Sequence, residues 1–543
     1  MNFKSRASYK LIILITFFAG FLRFSHLSTN PPALNLDEVA IGYNAYSVLK
    51  TGMDEYGTRF PITFRSHDDY KAPLYIYLTT IPIYFFGLNP FAVRFVSALA
   101  GTLTIPMLYF LTRLLFSSHK HSLALAQVSS LILAISPWHL QFSRAAYETN
   151  LSLFFVVFGL WAYLKGKHQP KYWFLTAIAF ALSIYAYHSA KIVIPLFALV
   201  LIFDSHRAII KHKTHSLLVA ITFISLVLPL IPFSLTPAGR LRFKGTSVFE
   251  TPTLIDISRQ QKIEEWRQGR VVEAFLFHDS RMAAAMVLLK GYFSHFTFHF
   301  LFLGENGPPR DLTPNVGLLY LWELPFIIYG AVLLGRQKGS SRLIIFFWLL
   351  LSFVPSAFTW DAPSSTRTLL AVPTFSLLTA TGLSAFIFLN RRFLVRAALG
   401  AVIIFFFFDY LHNSYRIAPL VYADSWQYGY RQAVEYASVH QQQYQHIVVS
   451  TNLRQPQNFF AFYLKYDPLT YINIDGGTVS GGFNEDQNHF GIYQFHPISW
   501  NQADLNPHTL YIDLAAKIPD QFKPQVVIDL PDGTPQIGIY AKD

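Results

Sequence analysis

Two adjacent carboxylates, Asp37 and Glu38, follow directly on the first long apolar stretch of the sequence. A carboxylate held at a helix start, at the boundary between lipid and water, has the position that a general base for surface chemistry needs. The same two residues could instead cap a helix over residues 38–50, since negative charge stabilises a helix N-terminus. The residue types alone leave both roles open.

Three cations stand where apolar stretches begin. Lys71 opens the stretch 71–90, and Arg94 and Arg367 open two later ones. At headgroup depth each could meet a lipid phosphate. Nonspecific snorkelling of a long cationic side chain would give the same pattern. We therefore treat these residues as candidate phosphate ligands, with snorkelling as the alternative.

Two further pairs have the i,i+4 spacing of residues on one helix face. Arg144 and Glu148 form either an ordinary helix ion pair or part of a charged site. His295 and His299 would suit two metal ligands or one polar edge of a helix. The chain has no cysteine, which excludes disulfides and thiolate ligands. The sequence predicts no cofactor with certainty and leaves a divalent metal ion open.

The elements that position these residues are those of a polytopic α-helical membrane protein. Of the 543 residues, 52% are hydrophobic and only 14% are charged, against roughly 25% charged in soluble proteins. A span needs about 20 mostly apolar residues. We predict eleven spans, at 9–27, 91–113, 123–140, 150–165, 172–189, 190–203, 215–233, 317–335, 342–358, 369–390 and 393–411.

Basic residues predict the orientation of these spans. If 71–90 is a juxtamembrane helix in the interface, the N-terminal segment and five later loops all fall on the cytoplasmic side. These segments hold 17 basic residues and one acid, Asp204, as the positive-inside rule requires. We therefore predict a multi-pass cell-membrane protein with a cytoplasmic N-terminus and an extracytoplasmic C-terminus.

The topology predicts two domains. Residues 1–411 form a transmembrane domain with large outer loops at 28–90 and 234–316, and residues 412–543 form a small extracytoplasmic α/β domain. In the second domain, hydrophobic periodicity and residue composition predict strands at 446–450, 470–474, 509–514 and 525–530. They predict helices at 425–440 and 455–466.

The basic charge does not indicate a nucleic-acid partner. The whole chain carries +12 and residues 412–543 carry −5, from 7 Lys and Arg against 12 Asp and Glu, so residues 1–411 carry +17. The positive-inside rule accounts for this excess. The sequence has neither a P-loop nor a dinucleotide fingerprint. The predicted partner is the lipid bilayer, with no nucleic acid.

Four motifs, in their order, resemble the GT-C glycosyltransferases, specifically the protein O-mannosyltransferase and aminoarabinose-transferase relatives of glycosyltransferase family 39. They are the acidic pair, "KAPLYIYL" opening the juxtamembrane helix, "RFVSALAG" starting the next span and "SPWHLQFSRAAYETN" after the third. The resemblance covers roughly residues 8–410. Ala72 replaces the first proline of the usual Lys-Pro-Pro-Leu, and Glu148 stands where many relatives have Asp.

The resemblance implies a GT-C-like fold and transfer of a sugar on the outer face of the membrane. Members of the family take the sugar from a polyprenyl-phosphate donor, typically with inversion, and pass it to an acceptor hydroxyl or similar nucleophile. The acceptor, whether glycan, lipid or protein, is unknown. Asp37 matches the family's first-loop carboxylate and is implied to be the catalytic base, with Glu38 assisting it or capping the helix.

The remaining charged residues receive supporting roles from the same resemblance. Lys71, Arg94 and Arg367 would stabilise the charge of the leaving lipid phosphate. Glu148 would orient Lys71, Arg144 or a sugar hydroxyl, and both Arg144 and Glu148 are predicted to belong to the site that binds the donor phosphate and sugar.

Two other classes of protein stay open at this point. A lipid-linked sugar transporter or flippase would carry ionisable residues near the bilayer midplane, where the sequence offers mainly Glu323. A non-catalytic membrane protein that binds sugar or lipid would show the same charged residues in structural roles.

Overall fold

The computed structural model of the chain describes residues 3–66, 69–250, 252–277, 280–304, 307–478 and 488–542. It divides into two compact units. The first consists of Met1–Ala19, Gly101–Phe142 and Thr149–Phe408, and the second of Gly20–Ala100, Ser143–Glu148 and Asp409–Asp543. The second unit therefore includes both the predicted first outer loop and the tail, whereas the boundary predicted at 411/412 places them in different domains.

Helices dominate the described chain. In the N-terminal half they are α1 (Phe3–Phe24), α2 (Leu36–Thr51), α3 (Pro73–Phe86), α4 (Pro90–Leu115), α5 (Ser122–Ile135), α6 (Pro137–Ser143), α7 (Glu148–Gly166), α8 (Tyr172–Ala186), α9 (Ala190–Lys211), α10 (Lys213–Val227), α11 (Leu230–Leu235), α12 (Pro237–Thr246) and α13 (Pro252–Arg267). They continue with α14 (Val271–Phe277), α15 (Ser280–Ser294), α16 (Glu323–Arg336), α17 (Ser340–Ala357), α18 (Val372–Leu389), α19 (Phe393–His412), α20 (Ala418–Val421), α21 (Tyr430–His440), α22 (Pro456–Tyr463) and α23 (Pro468–Asn473).

The protein is a polytopic helical membrane protein, as predicted. Within the described residues, six helices are long and apolar enough to cross a membrane, and a seventh span results if α5 and α6 are joined. The other predicted spans also coincide with helices, namely α1, α8, α10 and α16. Three of these four, α8, α10 and α16, have only 14 or 15 residues, fewer than the roughly 20 of a typical span.

The predicted span 123–140 is broken. Helix α5 ends at Ile135 and α6 starts at Pro137, and the two axes differ by 58°. Proline lacks the N–H that would continue the helical hydrogen bonds. The break therefore has a local cause in the sequence, although the apolar pattern predicted one continuous span.

The described strands form two sheets. Strands β1 (Phe64–Ser66) and β2 (Asp69–Lys71) pair antiparallel, with Phe64 opposite Lys71. The tail contains β3 (His446–Val449), β4 (Asn488–Phe490), β5 (Tyr493–Phe495), β6 (Thr509–Leu514), β7 (Val526–Asp529) and β8 (Pro535–Lys542). These six strands are ordered β4-β5-β3-β6-β8-β7, with β3 parallel to both of its neighbours.

The α/β character of the tail is confirmed, with one local error. Strands β3, β6 and β7 and helices α21 and α22 lie where the sequence predicts them. The predicted strand 470–474 is wrong, because these residues lie in and just after helix α23. The Asp467 side chain accepts a hydrogen bond from the Thr470 N–H, and Pro468 occupies the first turn. Both features favour a helix start over a strand.

Candidate active site

Helix α2 places the two acidic residues in its first turn. Asn35 is the N-cap: its side chain accepts from the Glu38 N–H, and the Glu38 carboxylate accepts from the Asn35 N–H at 3.1 Å. This reciprocal arrangement is a capping box. The capping role that the sequence left open thus belongs to Glu38 together with Asn35.

Glu38 is also the centre of a buried ion pair. Arg94, at the start of α4, donates to both carboxylate oxygens of Glu38, from Nε at 2.8 Å and from a terminal nitrogen at 2.9 Å. The side chain of Arg94 is 0% exposed and that of Glu38 is 1% exposed. The Ala146 N–H donates to the same carboxylate at 3.0 Å. Glu38 is therefore a buried junction between three segments of the chain.

Arg94 uses all of its donors within the protein. Besides the two bonds to Glu38, its terminal nitrogens donate to the carbonyl oxygens of Leu27, Pro31 and Ala33. A guanidinium has five N–H groups, so this geometry leaves none for a lipid phosphate. We therefore propose that Arg94 positions the start of α2, in place of the predicted contact with the donor phosphate.

Arg144 has a comparable structural environment. Its guanidinium donates to the carbonyl oxygens of Leu22 and Asn30 at 2.6 and 2.9 Å and lies 4.8 Å from the ring centroid of Tyr415. Leu22 belongs to the last turn of α1, where a cation satisfies free carbonyls. Since α7 begins only at Glu148, Arg144 precedes that helix, and the two residues do not share a helix face despite their i,i+4 spacing.

Asp37 has a different environment from its neighbour. Its carboxylate is 43% exposed, and one oxygen accepts from the Lys71 ammonium at 2.6 Å. Lys71 ends β2 and is only 8% exposed. Burial by itself would lower the pKa of Lys71, but the carboxylates of Asp37, Glu148 and Asp69 outweigh it and hold the pKa above its ordinary value. Lys71 is thus a fixed, charged ammonium that acidic groups surround.

Arg367 lies in the other compact unit. One of its terminal nitrogens donates to both oxygens of Asp361 at 2.7 Å, and its side chain is 16% exposed. The structure therefore brings Asp37, Glu38, Lys71, Arg94, Arg144 and Glu148 into one unit and leaves Arg367 outside that unit.

The tail supplies partners to this site that the sequence did not reveal. The Gln427 side-chain oxygen accepts from the Leu36 N–H, the first of α2, at 2.6 Å. The ring of Trp426 lies 5.8 Å from the Arg94 guanidinium carbon. A Cβ on Gly42 of α2 would lie 2.5 Å from the Phe462 ring, so only glycine permits this approach. No sequence motif marks Gln427, since its partner lies 391 residues away.

Metal binding receives no support from the described part of the chain. It contains no group of three or more His, Asp or Glu residues that could hold a metal ion. His295 is buried, and its Nε2 is within hydrogen-bond distance of Ser356 Oγ (2.8 Å) and of the Ser364 backbone N–H (3.2 Å). Helix α15 ends at Ser294, so His295 and His299 do not share a helix face.

Comparison with known proteins gives a family match and several similar solved structures. Residues 70–233 match the family described as "Dolichyl-phosphate-mannose-protein mannosyltransferase". No curated protein sequence matches the chain. Among solved structures, ArnT from Cupriavidus metallidurans bound to undecaprenyl phosphate is 12% identical, with a TM-score of 0.54 and 97% of each chain covered.

A second similar structure is the oligosaccharyltransferase of Archaeoglobus fulgidus tethered to an acceptor peptide. It is 14% identical with a TM-score of 0.53, and the match covers 100% of this chain and 74% of that one. The archaeal oligosaccharyltransferase AglB from Archaeoglobus fulgidus, in complex with an inhibitory peptide and a dolichol-phosphate, is 14% identical with a TM-score of 0.49. That match covers 85% of this chain and only 64% of the other. At these identities the likeness shows the fold.

The fold defines the class: the chain has the fold of the GT-C membrane glycosyltransferases. Over residues 70–233 the chain is in addition similar to the mannosyltransferase family named above. The predicted resemblance is confirmed at this level.

Proposed function

We propose that the protein transfers a sugar from a polyprenyl-phosphate donor to an acceptor hydroxyl or similar nucleophile on the outer face of the membrane. The observation that carries the proposal is the half-exposed Asp37 carboxylate held 2.6 Å from the buried Lys71 ammonium. This pair combines a group that can take a proton with one that can stabilise a phosphate. The fold shared with ArnT and the family match give independent support.

In the proposed reaction Asp37 acts as the base. It takes the proton of the acceptor O–H while the acceptor oxygen bonds to C1 of the sugar. The bond from C1 to the phosphate oxygen breaks, with inversion at C1, and the polyprenyl phosphate leaves with the bonding electron pair. Lys71 stabilises the phosphate charge. Because Lys71 stays protonated, it meets the phosphate as a full cation.

The buried residues support this pair without contacting the donor. Glu38 and Arg94 fix the start of α2 against the segments around Leu27 and Ala146. Glu148 contributes to the charge around Lys71. These contacts hold the Asp37 carboxylate at a defined place, which a base needs for efficient proton transfer.

The side of the membrane and the acceptor belong to the same proposal. We place the N-terminus in the cytoplasm and the tail outside, because the basic loops of the sequence then satisfy the positive-inside rule. The tail is close to Asp37 in the chain's second unit, through Gln427, so an acceptor reaching Asp37 would also approach the tail. The acceptor is a glycan, a lipid or a protein.

The test is glycosyl transfer in vesicles, with a panel of polyprenyl-phosphate sugars and candidate acceptors. We expect Asp37→Asn to lower the transfer rate by about 10²–10⁴-fold, as loss of a general base does. Glu435→Gln is the matched control, since Glu435 is 56% exposed and is paired to Arg431 at 2.7 Å. An Asp37→Asn variant as active as this control would refute the role of Asp37, and an inactive wild type across the panel would refute the donor class.

Nothing in the described part of the chain favours the transporter alternative. Glu323, the main charged residue of the predicted spans, is the first residue of α16. Its carboxylate accepts from the Tyr320 N–H and from the Thr379 hydroxyl, both at 3.1 Å. These bonds are those of a structural group at a helix start.

A further inference from the structure

Helices α7, α8, α9 and α10 enclose an apolar cavity in the first compact unit. Its volume is about 350 Å³, and its lining includes Tyr163, Trp173, Phe180, Leu201 and Phe223. These residues play no part in the proposed transfer reaction. The cavity is large enough to require an explanation, because protein interiors normally contain few voids larger than a water molecule.

The cavity is accessible from the side of α10. None of the residues of this helix, all of which the structure describes, is buried. Yet Ser216, Val219, Ala220 and Phe223 of α10 line the cavity. Ala220 lines the cavity and is also exposed, so the cavity wall along α10 is open to the surroundings. An apolar chain from the bilayer could enter there.

Basic residues surround one end of the cavity. Helix α8 begins after Lys171, α9 ends at Lys211 and α10 begins at Lys213, and these three lysines are exposed. Between the last two lies His212, whose ring centroid is 6.4 Å from that of Trp173 in the cavity lining. The junction of α9 and α10 therefore lies against the cavity.

Acidic residues do not balance this charge. Asp204 is the only acid between residues 163 and 216. Its carboxylate accepts from the Lys167 ammonium at 2.5 Å and from the Tyr163 hydroxyl at 2.7 Å. Since Lys167 already compensates Asp204, the rim formed by Lys171, Lys211 and Lys213 retains its positive charge.

We propose that this cavity is a binding site for an anionic phospholipid of the bilayer. One acyl chain occupies the apolar cavity, and the rim of Lys171, Lys211 and Lys213 binds the phosphate headgroup. A basic pocket between transmembrane helices recognises anionic headgroups in this way. Simple snorkelling of the lysines would give no preference for one headgroup over another, which makes the proposal testable.

The experiment measures lipid binding to the purified full chain in detergent by native mass spectrometry. Phosphatidylglycerol, phosphatidylcholine and a polyprenyl phosphate are added separately and in competition. We expect phosphatidylglycerol to bind at least tenfold more tightly than phosphatidylcholine. The triple variant Lys171→Gln, Lys211→Gln, Lys213→Gln should bind it about 100-fold more weakly at low salt, since each charge near a lipid surface contributes about fivefold.

Two further variants make the result specific. Lys10→Gln, Lys120→Gln, Lys338→Gln removes three exposed lysines elsewhere and should bind phosphatidylglycerol like the wild type. Ala220→Trp fills the cavity from the exposed helix and should weaken binding at least tenfold without changing any charge. The proposal would be overturned if the two phospholipids bound equally. It would also be overturned if the triple variant at Lys171, Lys211 and Lys213 or Ala220→Trp bound phosphatidylglycerol like the wild type, or if the control variant lost as much binding as the triple variant.

Competition with polyprenyl phosphate decides the identity of the lipid. If it displaces phosphatidylglycerol at equal concentration, the site serves the proposed donor and not a bilayer phospholipid, and the proposal is wrong. The readout is lipid binding and not sugar transfer. Failure of this inference is therefore distinguishable from failure of the proposed enzymatic function.

Discussion

Asp37 and Glu38 are neighbours in the sequence, but their ion pairs have opposite character. The Glu38–Arg94 pair is completely buried and is saturated by backbone groups. The Asp37–Lys71 pair has a 43% exposed carboxylate on an 8% exposed ammonium. Successive residues in a helix point about 100° apart, so Glu38 can be buried while Asp37 stays partly exposed. The difference separates the structural role of Glu38 from the catalytic role that we propose for Asp37.

The largest expected effect concerns the buried pair. Glu38→Gln leaves the Arg94 charge buried without a counterion, which typically costs about 3–5 kcal/mol of stability. We expect a large fall in the melting temperature in detergent. Asp37→Asn, which removes a partly exposed pair, should cost about 1 kcal/mol or less. Equal melting temperatures for the two variants would contradict the distinction between the pairs.

The partly exposed Asp37–Lys71 pair should affect the rate of sugar transfer more than it affects stability. Lys71→Gln removes the cation proposed to stabilise the leaving phosphate and should lower the transfer rate by about 10²–10³-fold, as loss of one electrostatic stabiliser does. Single-turnover transfer in vesicles measures this effect. The control is Lys50→Gln, a change at the last turn of the same helix α2. A normal rate for Lys71→Gln would restrict Lys71 to structure.

A third carboxylate extends the comparison to the pH dependence of protein stability. Glu55 is buried, and burial raises its pKa from 4.5 to about 7, against the opposing hydrogen bonds from Asn44 and Thr478. The folded state then binds a proton that the unfolded state has lost, so stability is fully present below about pH 4.5 and falls as pH rises through 7.

For the wild type we therefore expect stability to fall by about 3 kcal/mol between pH 5 and 8, the equivalent of the shift in pKa. Glu55→Gln cannot titrate and should flatten this part of the profile. Melting temperatures across the pH range, recorded for both proteins in one detergent, provide the measurement. An unchanged slope in the variant would assign the pH dependence to other groups.

The smallest expected effect concerns the tail. Gln427→Leu removes the acceptor for the first N–H of α2 and should cost about 1 kcal/mol of stability. If this bond positions Asp37, the maximal transfer rate should fall about tenfold while the apparent KM changes little. Gln502→Leu, at an exposed position of the tail, is the control. A loss of stability without a change in rate would limit Gln427 to a structural role.

Local signals in the sequence were sufficient for most elements. Long apolar runs predicted the helices, because only a helix satisfies its own backbone in lipid. The error at 470–474 came from weighing β-branched residues above the Asp467–Pro468 helix start. Strands β5 and β8 were missed because they pair with strands distant in the chain, as Leu510 does with Ala541. Strand β4 was missed although it pairs with the neighbouring β5, His489 opposite Gln494.

The sequence by itself determined the class of this protein, the place of the acidic pair and the spans that flank it, since these depend on composition and local order. Only the tertiary structure decided which acid is buried, because Glu38 meets Arg94 across 56 residues of chain. It likewise placed Asp37 against Lys71 and brought Gln427 of the tail to the start of α2. Burial and the direction of a side chain depend on long-range packing, which no local pattern encodes.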